Sequence, residues 1–145
     1  MRKDIFVDTN IACKFAKPTK EQVEFLKWLE NSGYLMVSQK LLIEYNKSCN
    51  IPLFKAIIGK LSSTNRLVKI SNDEIKIFKR QHFSKRITQR LQSNHQDREH
   101  IPIVLLSDRK IAITEDDKFA SDLVVFPGFK PIVSPTFEGV DYANL

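Results

Sequence analysis

The chain has 145 residues, 42% of them hydrophobic, enough for one buried core without disulfides or a structural metal, so a single domain over 1–145 is expected. Lysine and arginine number 23 against 17 aspartate and glutamate, a net charge of +6, and this balance attracts polyanions, nucleic acid first among them, in a salt-sensitive way. No apolar run approaches the roughly 20 residues of a membrane helix, no signal sequence opens the chain, and Cys13 and Cys49 lack metal-ligand spacing, which points to the reducing cytoplasm.

Ile5-Phe6-Val7 is a short β-branched and aromatic run ending at Asp8-Thr9-Asn10, residues suited to closing a strand and capping a helix. After Pro18 and Thr19, the segment reaching Asn31 sets Val23, Leu26 and either Phe25 or Leu29 at helical spacing, with Gly33 as the stop. Tyr34 to Val37 reads as the second strand, Ser38 as a cap, and Leu41 to Cys49 as a helix carrying Glu44. Pro52 suits the first turn of another helix, with Phe54, Ile57, Ile58 and Leu61 on one stripe, broken at Ser62-Ser63-Thr64-Asn65.

Leu67 to Ile70 is the third strand, and Ser71 or Asn72 begins one longer helix with Ile75, Phe78, Ile87 and Leu91 facing inward. Asn94 starts the next helical stretch, which contains Pro102. Proline lacks an amide hydrogen and costs about 3 kcal/mol inside a helix, so this element should be kinked or split there. Lys110 to Thr114 supplies a fourth strand ending in acids, and Pro131 to Ser134 a weaker fifth.

Alternating strands and helices imply right-handed crossovers and an α/β fold, a mostly parallel five-stranded sheet with helices on both faces. An order 3-2-1-4-5 makes strands one and four neighbours, and function in such sheets sits at the carboxyl ends of the strands, where the order reverses. Asp8 stands there after the first strand and Glu115-Asp116-Asp117 after the fourth. Clustered carboxylates without basic partners raise one another's pKa unless a cation lies between them, and oxygen-only ligands favour magnesium or manganese.

These residues resemble the PIN-domain nucleases, a family that includes the VapC-type toxins of bacterial toxin–antitoxin pairs. The likeness covers nearly the whole chain and rests on Ile5-Phe6-Val7-Asp8-Thr9-Asn10, on Val37-Ser38 with Glu44 six residues after Ser38, on Asp97 lying 17 residues before Thr114, and on Ile113-Thr114-Glu115-Asp116-Asp117-Lys118-Phe119. It implies that Asp8, Glu44, Asp97 and Asp116 hold magnesium or manganese, with Thr9, Asn10 and Thr114 as hydrogen-bonding supports. Glu99 competes with Asp97, and Glu115 and Asp117 with Asp116, for the inward position. It also implies cleavage of RNA to 5′-phosphate and 3′-hydroxyl ends, a homodimer and, for a toxin, an antitoxin partner that covers the acids. The segment departs from the family at His100 and at Ile101 to Leu106, which stand where small residues usually pack on the sheet. His100 reads as structural, with phosphate contact as its other role.

Between Lys76 and Arg90 the chain carries Lys76, Lys79, Arg80, Lys85, Arg86 and Arg90 and no acid. On the proposed helix most of them face away from the apolar stripe and would form a ridge able to follow an RNA backbone, with Phe83 either packed inward or stacked on a base. Three other functions compete with a toxin nuclease. One is a noncatalytic RNA-binding or protein-interaction module; another is a PIN nuclease of RNA processing. The third is a phosphoacceptor receiver domain, but that needs paired acids near the first strand, where only Asp8 is present.

Overall fold

A computed structural model describes all 145 residues. Its centre is a five-stranded, all-parallel sheet ordered β3-β2-β1-β4-β5, as expected, with β1 at Asp4–Val7, β2 at Tyr34–Val37, β3 at Leu67–Lys69, β4 at Ile111–Ile113 and β5 at Ile132–Ser134. Every residue of β1 and β4 is buried, which is the reason Ile5–Val7 and β4 read as unbroken apolar or β-branched runs rather than alternating ones.

The helices are α1 (Thr9–Ala12), α2 (Lys20–Asn31), α3 (Gln39–Glu44), α4 (Pro52–Ser63), α5 (Asn72–His82), α6 (Lys85–Arg90), α7 (His95–Arg98), α8 (Ile101–Leu105) and α9 (Asp117–Leu123). They cover both faces of the sheet. One set of buried side chains gathers Phe15, Phe25, Phe54 and Phe137, with Phe25 and Phe137 stacked at 4.0 Å between ring centroids. A second brings the half-buried Phe83 and Phe129 against the buried Phe78 and Phe126 beside α5.

Local chemistry sets the boundaries. Thr19 with Gln22 and Ser71 with Glu74 form reciprocal capping boxes that start α2 and α5. Gly33 follows α2 because a β-carbon there would meet the Trp28 ring at 2.5 Å, so close approach, rather than turn geometry, requires the glycine. The Arg66 guanidinium then ties off α2 by donating to the carbonyls of Leu29, Glu30 and Gly33.

The single long helix expected after Ser71 is two helices. Phe83 leaves the helical region and Ser84 caps α6 by accepting from the Ile87 amide, yet Ile75, Phe78, Ile87 and Leu91 are all buried. The helix expected to bend at Pro102 is split into α7 and α8, with Pro102 in the first turn of α8. The helix expected over Leu41 to Cys49 becomes α3 followed by a π-helical turn, Tyr45–Cys49, closed by Asn50 in the left-handed region (φ 42°).

The cysteines also depart from the expectation of a protein suited to a reducing compartment. Cys13, just past α1, and Cys49, at the end of the π turn, are joined as a disulfide with their α-carbons 4.6 Å apart. The fold thereby fastens the segment after Thr9 to the segment after Glu44. No helix is long and apolar enough to cross a membrane.

Candidate functional site

Strand register brings the first pair of candidates together. Phe6 pairs with Ala112 and Val7 with Ile113, so the next residues, Asp8 and Thr114, leave the sheet side by side. The Asp8 amide donates to the Ile113 carbonyl at 2.9 Å. The Thr114 hydroxyl donates to Asp8 Oδ2 at 2.6 Å and accepts from the Asp116 amide at 3.1 Å, so one side chain orients the acids of two neighbouring strands. Asp8 also caps α1, accepting from the Thr9 amide at 2.8 Å. Asn10 accepts at Oδ1 from the Glu115 amide at 3.3 Å, with its amide nitrogen 3.5 Å from Asp8 Oδ2.

Glu44 reaches the same edge from the last residue of α3, whose cap Ser38 directly follows β2. Its Oε1 lies 3.4 Å from the Thr9 hydroxyl and its Oε2 2.9 Å from His100 Nε2. Asp116 caps α9, with Oδ1 accepting from the amides of Lys118 and Phe119. Asp97 lies on α7, where Asn94 holds its amide at 2.8 Å, and no side-chain or backbone donor reaches its carboxylate. The competing acids are occupied elsewhere or exposed: Glu99 pairs with Lys79 at 2.8 Å, Glu115 with Lys14 at 2.5 Å, and Asp117 faces solvent in the first turn of α9.

Burial leads the electrostatics of the site, with repulsion between acids second at Asp97 and His100 opposing the rise at both Asp8 and Asp97. Burial pushes the Asp8 carboxyl above its usual range, against the lowering hydrogen bonds of Thr114 and Thr9, and the nearby Asp97 charge adds to the rise. Asp97 is also raised, by burial and then by Asp116, with Glu44 contributing. Burial opposes ionisation of Glu44 as well, but its interactions with His100, Lys40 and Thr9 bring the net below the ordinary value. The couplings among these acids converge on Asp97, which interacts with Asp8, Glu44 and Asp116. No three His, Cys, Asp or Glu side chains stand in ready metal-ligating geometry. The donor set nonetheless suits a hard divalent cation: it is all oxygen, and the carboxylate of Asp97 and Oδ2 of Asp116 receive no hydrogen bond.

Two hollows flank this edge, one on either side of α7. A groove of about 470 Å³ is lined by Gln39, Lys40, Ile43, Glu44, Lys47, Asn72 and Gln96. Lys40 and Glu44 stand one turn apart on α3, and Lys47 follows on the π-helical turn. The other hollow, about 330 Å³, is lined by Lys79, Arg80, Phe83, Thr88, His95 and Arg98. Of the six expected RNA-binding residues, Lys79 and Arg80 line it, whereas Lys76, Lys85, Arg86 and Arg90 are exposed and do not. Lys79 is tied to Glu99, and Arg98 is spent on the carbonyls of Ser93 and Leu91, which leaves Arg80, His95 and the Thr88 hydroxyl as its uncommitted polar groups. Splitting the long helix also separates the basic residues into two short rows rather than one ridge.

Sequence reading missed the Glu44–His100 contact, the contribution of Lys40, and Asp122, a buried acid that holds the 92–93 backbone ahead of α7. A histidine at the start of an apolar run was the available signal for the first. Compared by sequence, the chain matches no protein-family model and no curated protein.

Proposed function

We propose that this protein is a divalent-cation-dependent endoribonuclease of the PIN type, hydrolysing RNA phosphodiesters to 5′-phosphate and 3′-hydroxyl ends. The observation that carries the reading is the convergence of Asp8, Glu44 and Asp116 on Asp97 at the strand order's reversal point, in an otherwise basic chain. Four acids there would repel a polyanion unless a cation balanced them.

Asp8, Glu44, Asp97 and Asp116 would hold magnesium or manganese. When bound, such a cation would activate water for in-line attack and neutralise charge on the leaving oxygen. The chain's own groups do the remaining work. Thr114 fixes the rotamer of Asp8 and the backbone of Asp116, Thr9 steadies Glu44, and Lys40, Lys47 and Arg80 offer charge to phosphates on either side of α7. RNA as substrate implies the cytoplasm, where Cys13–Cys49 would be a reducible bond. The family likeness extends the proposal to a homodimer and to a toxin whose antitoxin covers the acids, readable as a dimer in sedimentation and as a tight one-to-one complex with the product of an adjacent gene.

The second reading is a noncatalytic RNA-binding module, favoured by the lack of three side chains already in ligating geometry. Incubation of a 5′-labelled single-stranded RNA with the purified protein and manganese separates them. The nuclease reading expects cation-dependent products with 5′-phosphate termini, lost in Asp8→Asn; intact RNA that is retained on the protein would support the binder instead.

A further inference from the structure

His100 is buried to 2% exposure, and its ring makes one polar contact, Nε2 to Glu44 Oε2 at 2.9 Å. The other ring nitrogen, Nδ1, is buried without a partner. An ionised carboxylate can only accept, so Nε2 carries a proton and donates it to Oε2 of Glu44. Phe6 of the central strand packs against the ring with 6.1 Å between centroids and 45° between planes, which fixes the direction of that donor.

The backbone of the same residue is tied to another candidate acid. His100 N donates to the Asp97 carbonyl at 3.0 Å, and the His100 carbonyl accepts from Ile103 at 3.1 Å at the start of α8. Pro102 makes this placement possible: it cannot donate to the carbonyl of Arg98 four residues back, so α7 ends and the chain turns at Glu99 and His100 before α8 begins. One residue thus joins Asp97 through the main chain to Glu44 through the side chain, the latter contact spanning 56 positions of sequence.

We propose that His100 is a positioning residue for the cation site: it holds Oε2 of Glu44, so that Glu44 would meet a cation through Oε1 alone, from a preset direction. The inference rests on the nuclease reading of the four acids and deepens it. Glutamate at a helix end has several side-chain torsions to lose, and a fixed N–H donor removes that loss before the ion arrives. His100 is no general base here, because Nε2 is already committed to the carboxylate and Nδ1 faces the interior.

Manganese affinity, measured by electron paramagnetic resonance of the free ion on the full chain, tests this without recourse to cleavage. His100→Leu keeps comparable volume and removes the donor; His100→Gln keeps an N–H donor. Removal should weaken binding about 10- to 100-fold, the range for a supporting partner of a ligand, while the glutamine variant should stay much closer to wild type. In a Glu44→Ala background the His100→Leu effect should vanish, which a general loosening of the fold would not produce; circular dichroism without metal checks folding. Equal affinity in His100→Leu, equal losses in leucine and glutamine variants, or an undiminished effect in the Glu44→Ala background would each overturn the assignment. A wild-type chain that binds no manganese would overturn the nuclease reading and this inference together, whereas wild-type binding with an unaffected His100→Leu overturns this inference alone.

Discussion

Removal of the Asp122 carboxylate should loosen the approach to α7 and cost a large share of the protein's stability. Asp122 has no exposed surface, although it lies on a short surface helix. Its oxygens accept from the amides of Gln92 at 2.7 Å and Ser93 at 2.9 Å and from the Ser93 hydroxyl. Arg98 fastens the same stretch from the other side, donating to the carbonyls of Ser93 at 2.9 Å and Leu91 at 3.2 Å. Asn94, next in the chain, caps α7 and so sets Asp97. Asp122→Ala leaves the Ser93 amide and hydroxyl buried without an acceptor. Hydrogen bonds to a charged group contribute about 1.5–3 kcal/mol each, so counting only the two from Ser93 gives a loss of about 3–6 kcal/mol. At roughly 2–4 °C per kcal/mol for a chain of this size, the melting temperature should fall by about 10 °C. Urea unfolding reads this directly as a lower midpoint at unchanged slope. Asp122→Asn, which keeps one acceptor, should lose less, and Asp97→Ala, with a half-exposed carboxylate that no donor reaches, should lose little. An Asp122→Ala stability within about 1 kcal/mol of wild type would refute the claim that this acid anchors the loop.

Reduction of Cys13–Cys49 should destabilise the fold by about 3–4 kcal/mol, the chain-entropy value for closing a loop over a sequence separation of 36; denaturation with and without reductant, repeated on Cys13→Ser, measures it. Burial, and to a smaller extent the charge of Asp97, raises Asp8, so in the metal-free protein its ionisation opposes folding at neutral pH, and that cost disappears as pH falls through its folded value to below 3.8. Asp8→Asn should therefore be more stable than wild type at pH 7 without metal, with the gap closing on acidification; a gap of constant size would contradict the burial argument. Glu44 has the opposite sign: its depressed carboxyl contributes stability above 4.5 that is lost as pH drops through the folded value, so Glu44→Gln should be the weaker protein at pH 7 and approach wild type in acid. Charge reversal at Arg80 should weaken RNA binding and flatten its salt slope more than reversal at Arg86, which lies outside the hollow; equal effects would favour a diffuse basic surface.

The parallel sheet was legible because short apolar runs alternate with helical periodicity, and because a residue able to cap the next helix stands after β1, β2 and β4, as Asp8, Ser38 and Asp116 do. The split between α5 and α6 is not legible in the sequence for a physical reason: Ile75, Phe78, Ile87 and Leu91 all remain buried across the break, so hydrophobic phase carries no record of it, and only Ser84 marks the new start. Pro102 gave its helix break plainly, since a missing N–H is a local property. Asp122 and Asp4 had no such signature. Asp4 receives the amides of Asp108 and Arg109 from over a hundred positions away, yet beside Arg2 and Lys3 it reads as a solvated acid. The cysteine pairing and the Glu44–His100 bond are likewise properties of tertiary approach. Strand register turned one expectation into geometry, because setting Val7 against Ile113 leaves Asp8 beside Thr114.

Calorimetric titration of the metal-free protein with manganese, alongside Asp8→Asn, addresses the acids as a unit. Saturable binding by the wild-type chain and none by the variant is the expected result, with both folded before the ion is added. No heat of binding in wild type, or an isotherm unchanged by Asp8→Asn, would contradict a shared cation site.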